Sequence, residues 1–142
     1  MPPLDRSADL AAVREGIEAT NRDDIDAVLQ LFDPEVEFQI APGLGNAGTY
    51  RGHDGYRRGF GGWVEAFDDF SVDESELEAV GERHVVVDAR QSGRGHGSGI
   101  EVEMRLGYLF ELREGTVVRF HVLPDHDAAV AAAEAGERVE PG

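Results

Sequence analysis

The sequence predicts an α+β fold: helices backing a curved, mostly antiparallel sheet, with a pocket between the layers. Three observations carry this. Within residues 20–50 one helix ends, a second short one starts and stops, and a strand follows at once. Tyr56, Phe60, Trp63, Val64 and Phe67 then fall on one helical stripe. From Ile100 to Leu112 every second residue is apolar or aromatic, the pattern of a half-buried strand.

The first helix is expected over residues 8–20, with Ser7 as N-cap and Leu10, Val13 and Ile17 on one face. Asn21 suits the left-handed residue that closes a helix. Asp23 or Asp24 can cap the second helix, whose Ile25, Val28, Leu29 and Phe32 form an apolar stripe. Asp33-Pro34 stops it, because a residue before proline avoids helical geometry. Val36 and Phe38 alternate with Glu35 and Glu37 as the first strand, and residues 41–48 form a loop by composition. The third helix spans residues 54–67. Gly59, Gly61 and Gly62 weaken it by about 1 kcal/mol each relative to alanine and permit close contact with the sheet. Strands follow at 70–77, 84–91, 100–112 and 116–123, the last two joined by a tight Glu114-Gly115 turn. An alanine-rich helix over 127–135, ending at Gly136, completes the chain. No repeat or linker interrupts this order, so residues 1–142 read as one domain.

Composition removes several classes of function. No cysteine is present, which excludes disulfides, thiolate nucleophiles and thiolate metal sites. All 13 basic residues are arginine, which excludes a Schiff-base or general-base lysine. A net charge of −16 opposes binding to nucleic acid or to an anionic membrane. Residues 64–82 hold eight acidic side chains and no basic one, a solvated face or else a dock for a basic partner. No apolar run reaches the roughly 18 residues of a membrane span. Met1-Pro2-Pro3-Leu4-Asp5 lacks the features of a signal peptide, so a cytoplasmic protein is expected. No two histidines have the close helical spacing of a zinc site, and neither metal nor cofactor is expected. The Gly93-Arg94-Gly95-His96-Gly97-Ser98-Gly99 run joins two strands instead of a strand and a helix, so it reads as a hairpin tip and not a dinucleotide motif.

Four segments and one closing residue occur in an order that resembles a known family. They are Asn21-Arg22-Asp23-Asp24-Ile25-Asp26, Leu31-Phe32-Asp33-Pro34-Glu35-Val36-Glu37-Phe38, Tyr50-Arg51-Gly52, Glu114-Gly115-Thr116-Val117-Val118 and Asp125. The chain resembles the SnoaL-like, polyketide-cyclase-like branch of the NTF2-like superfamily, which includes ketosteroid isomerase and limonene epoxide hydrolase. The resemblance covers nearly the whole chain. It implies an NTF2-like cone, with a strongly curved sheet wrapped around the three helices of the N-terminal half plus a short C-terminal helix. It also implies an interior apolar pocket and a homodimer. Enzymes of this kind use carboxylates in a dry cavity, where burial shifts their pKa values. Carried across, the isomerase's tyrosine donor falls near Gly16 and its aspartate base near Gln39 or Ile40. Its protonated aspartate falls near Gly107, and the hydrolase's last-strand aspartate near Val122. None is kept.

Other polar residues could serve such a pocket. Asp88 and Arg90 share a strand face, as do Glu101, Glu103 and Arg105 on the next strand. Asp88 or Glu103 would be the base and Arg90 or Arg105 the electrostatic partner; the alternative is a cross-strand ion pair in solvent. Strand parity turns Gln91 inward with Val85, Val87 and Ala89. The expected cavity wall is then Trp63, Phe67, Gln91, Arg105, Tyr108 and Phe120, with His121 facing the other way, into a dimer interface. Two functions remain open. One is binding of a small apolar molecule, with or without cofactor-free isomerase, cyclase or hydrolase chemistry. The other is a non-catalytic ligand-binding or dimerising accessory role. A carboxylate isolated in a cavity of roughly 300 Å³ favours the first, and a closed or wholly apolar interior the second.

Overall fold

The computed structural model describes residues 5–44 and 46–138, leaving aside the Ser75 side chain. The N-terminal Met1-Pro2-Pro3-Leu4 and the loop residue Gly45 lie outside the described residues. Two early changes of direction set the layout. α1 (Ser7–Asn21) ends at Arg22, the chain reverses at Asp23 with φ of 61°, and Asp24 caps α2 (Ile25–Gln30) by accepting from the Ala27 amide at 3.1 Å. Arg6, not Ser7, is the residue before α1, and Ser7 donates its amide to the Asp5 carboxylate. Asn21 does not take the left-handed position either. Its side chain exchanges two 2.8 Å hydrogen bonds with the Val72 backbone, so it mimics a neighbouring strand and pins α1 to the sheet.

The chain continues as β1 (Phe32–Ile40), β2 (Gly48–Arg51), α3 (Gly52–Val64), β3 (Phe67–Val80), β4 (His84–Gly95), β5 (Glu101–Arg113), β6 (Thr116–Leu123) and α4 (His126–Arg138). Six strands form one curved, unclosed sheet in the order β2-β1-β6-β5-β4-β3, antiparallel throughout except for the parallel pair β1 and β6. Phe32, expected to end the second helix, opens β1 instead, because it pairs with Val117 of β6. Phe67, expected on the third helix, opens β3 and pairs with Gly95. β3 runs 14 residues, with two register shifts against β4 that bend the ribbon, as bulges do.

The glycines of α3 have separate reasons. A Cβ on Gly59 would lie 2.6 Å from the Tyr50 ring, and one on Gly62 would lie 2.7 Å from the Asn46 side chain. The helix therefore presses closely on β2 and the loop before it. Gly61 faces open space.

Side-chain alternation gives the sheet two different faces. The concave face carries Val85, Val87, Ala89 and Gln91 beside Leu106, Tyr108 and Phe110, and packs on α1 and α3. The outer face carries Val86 and Leu109, which α4 covers with Ala129 and Ala133. Gly136 leaves room for the His84 ring, and the Glu137 carboxylate accepts from the Glu82 and Arg83 amides and from the His84 ring at 2.5 Å. Burial works to raise that carboxyl, but these hydrogen bonds outweigh it and hold it below the usual carboxylate range. No helix among the described residues is long and apolar enough to cross a membrane.

Candidate ligand-binding site

The concave face of the sheet and the apolar faces of α1, α2 and α3 converge on a narrow cavity. Val13, Gly16 and Ile17 line it from α1, Val28 from α2, Tyr56 and Phe60 from α3, and Tyr108, Phe110 and Phe120 from the sheet. Its water-accessible space is about 30 Å³, room for roughly two waters. Aromatic rings take up most of the volume. Tyr56 stacks on Phe60 with ring centres 5.3 Å apart, Phe110 stacks on Phe120 at 4.3 Å, and Phe38 meets Tyr56 edge-on at 5.0 Å. The interior is therefore nearly closed.

One polar chain crosses this apolar core. The Trp63 indole N–H can only donate, and it donates to Gln91 Oε1 at 2.9 Å. That contact orients the Gln91 amide so that its Nε2 donates to the Tyr108 hydroxyl oxygen. All three residues are buried. Tyr108 therefore accepts from Gln91 and keeps its own O–H free to donate. Tyr56, 1 % exposed, makes no hydrogen bond among the described residues. Burial, with the neighbouring Tyr108, pushes the Tyr56 hydroxyl pKa up, and burial does the same for Tyr108 against the opposing effect of Gln91. Both stay protonated in neutral solution, so each hydroxyl keeps a proton that it can donate at the cavity wall.

Trp63, Gln91, Tyr108 and Phe120 are all buried, but only Tyr108 and Phe120 line the cavity; Trp63 and Gln91, expected on its wall, stand behind it. Arg105 is not buried. It lies an odd number of residues from Tyr108, so alternation sends it to the outer face, where it is 65 % exposed and donates to Asp88 at 2.8 Å. Arg90 and Glu103 sit on that same face 3.9 Å apart, with Asp73 3.5 Å from Arg90. Asp88, Arg90 and Glu103 therefore form cross-strand ion pairs away from the cavity, worth roughly 0–1 kcal/mol each. Phe67, because it starts β3, lines an outer groove instead of the cavity wall. His121 faces outward as expected. It is 3.0 Å from Glu37, whose carboxylate also holds Arg119 and Arg51. Burial lowers the His121 pKa in spite of Glu37.

No carboxylate and no histidine lines the cavity among the described residues, and no group of three metal-binding side chains occurs among them. Of the positions suggested by the resemblance, Gly107 is required by close packing and Gly16 is not, since a Cβ there would make an ordinary 3.6 Å contact with Leu31. Gly107 lies on the outer face beneath α4, and Gly16 lines the cavity close to Leu31. The sequence reading missed Tyr56 as a polar wall residue, although it begins the stripe that includes Phe60 and Trp63.

The comparisons agree with this architecture. An NTF2-like protein from Burkholderia thailandensis superposes with a TM-score of 0.74 at 26% identity, over 89% of this chain and 96% of that one. TerC co-crystallised with polyporic acid gives 0.75 at 20% identity, over 90% and 99%. A putative SnoaL-like polyketide cyclase from Jannaschia sp. gives 0.71 at 21% identity, over 94% and 99%. No curated protein matches the sequence. The SnoaL-like domain family matches residues 13–120, well over half of the chain, and the chain belongs to that family.

Proposed function

We propose that this domain binds a small apolar molecule carrying one hydrogen-bond acceptor, with its polar end at Tyr56 and Tyr108, and that it does so without acid–base chemistry. The observation that supports this is the pair of tyrosine hydroxyls on an apolar cavity with no carboxylate among its described lining residues. The Trp63–Gln91–Tyr108 chain holds one donor in place for an incoming carbonyl, while the cavity of about 30 Å³ must widen to take the rest of the molecule. An enzyme of the resembled kind needs a base at the cavity, and the candidate bases Asp88 and Glu103 point to the other side of the sheet. A co-crystallised small molecule in TerC is in keeping with ligand binding by this fold.

Calorimetric titration with a neutral aryl ketone and its deoxygenated analogue tests the reading. One hydrogen bond contributes about 0.5–1.5 kcal/mol, so the ketone should bind roughly three- to tenfold tighter. Tyr108→Phe should remove most of that preference, and Tyr56→Phe part of it. Equal affinity of the two compounds for the unaltered protein, or binding of neither, defeats it.

A further inference from the structure

Thr20, Val28 and Phe60 line both the core cavity and an open groove of about 490 Å³ between α2 and the end of α3. These three side chains are the partition between the two spaces. Phe60 is flanked by Gly59, packed against Tyr50, and by Gly61, where a Cβ would have no atom within 4 Å, so the groove side of this turn is open. The groove floor is apolar, with Ile25, Val64 and Phe67, and its rim holds Asp23, Asp24 and Glu65. Arg57 is the only cation among the described lining residues, and it is engaged with Asp26 at 3.2 Å. Asp23 and Glu65 have no ion-pair partner among the described residues. An adjoining groove shares Phe60 and Asp23 and adds Asp68 and Asp69, which hold His96 and Arg94.

We propose that a ligand reaches the cavity from this groove by displacing the Phe60 ring, and that the acidic rim selects apolar molecules whose outer end is neutral or carries an amine over those ending in a carboxylate. The inference rests on the binding reading above and adds the ligand's charge. Two independent features define the ends of the molecule. Inside, the Tyr56 hydroxyl makes no hydrogen bond to another described residue and lines the cavity, where it can donate to an acceptor. Outside, a carboxylate would face Asp23, Asp24 and Glu65 with one cation on the lining, Arg57, which is shared with Asp26, in a chain of net charge −16. An ammonium in the same place is attracted by all three carboxylates.

The test uses three aryl ketones of one skeleton, ending in a primary amine, a hydroxyl or a carboxylate, titrated calorimetrically into the whole chain. The carboxylate should bind about tenfold more weakly than the hydroxyl compound in roughly 10 mM salt, and the amine at least as tightly as the hydroxyl. In about 1 M salt the Debye length falls from about 30 Å to 3 Å and the gap should close. Asp23→Asn combined with Glu65→Gln should bring the carboxylate to within about twofold of the hydroxyl compound at low salt. Asparagine tolerates the positive φ at position 23, and Glu65 is exposed, so this variant keeps the fold. A separate variant, Gly61→Leu, fills the groove beside Phe60 and should weaken all three compounds. Equal affinities at low salt overturn this proposal and leave the ligand-binding reading standing. Binding of none of the three overturns both.

Discussion

Replacing Gly107 with valine should lower the melting temperature by about 10 °C and release α4 from the sheet. A Cβ at Gly107 would stand 2.2 Å from the Asp125 carbonyl oxygen and 2.8 Å from the Ala129 methyl. Neither neighbour can swing aside. The Asp125 carbonyl accepts from the Ala129 amide at 3.2 Å and its carboxylate accepts from the Ala128 amide at 2.7 Å, so this residue holds the start of α4. Relief requires moving the helix as a body, which uncovers Val86 and Leu109. Overpacking of this kind costs about 1–3 kcal/mol, and each kcal/mol is worth about 3–5 °C in a domain of this size. Gly107→Ala should already show a loss, since the offending atom is Cβ itself. Circular dichroism melts check both variants, and an unchanged midpoint for Gly107→Ala would refute the described seating of α4.

The second large effect is expected at Gln91. Substitution by leucine keeps the approximate volume but leaves the Trp63 indole N–H with no acceptor in a buried site. An unsatisfied buried donor costs about 1–3 kcal/mol, and loss of the Tyr108 contact adds to it. A total near 2–3 kcal/mol should appear as a lower denaturant midpoint at constant slope. Pairing Gln91→Leu with Trp63→Phe removes donor and acceptor together. The double variant should then be less destabilised than the sum of the two single ones, with a coupling above about 0.5 kcal/mol. Strict additivity would mean that the chain contributes nothing as a unit.

Periodicity made most of the fold readable. The alternation over residues 100–112 assigns the faces of β5, and with the run from Val85 to Gln91 it correctly places Gln91 and Tyr108 indoors. The misplacements came from long-range pairing, which a local pattern does not contain. Phe32 and Phe67 both continue helical stripes, yet pairing with Val117 and with Gly95 draws each into a strand. β2 was not anticipated, because its four residues gain strand geometry only through β1. Asn21 has the chemistry of a helix end, and its actual partner, the Val72 backbone, is 51 residues away. The site was legible where it depends on parity and obscure where it depends on volume. Arg105 was misassigned against its own parity. The nearly complete filling of the interior by Phe32, Phe38, Phe60 and Phe110 depends on how rings nest, which spacing does not reveal.

Trp63 is the only tryptophan in the chain, so its indole N–H gives a single resonance in a nitrogen-15 correlation spectrum. It lies one amide away from the Tyr108 hydroxyl. Addition of a neutral aryl ketone should shift that resonance progressively to a plateau, and the same addition to the Tyr108→Phe protein should move it far less. Saturation of the protein with an unmoved indole signal, and with the changes confined to the outer face around Arg105 and His121, would contradict a ligand seated at the heart of the cone.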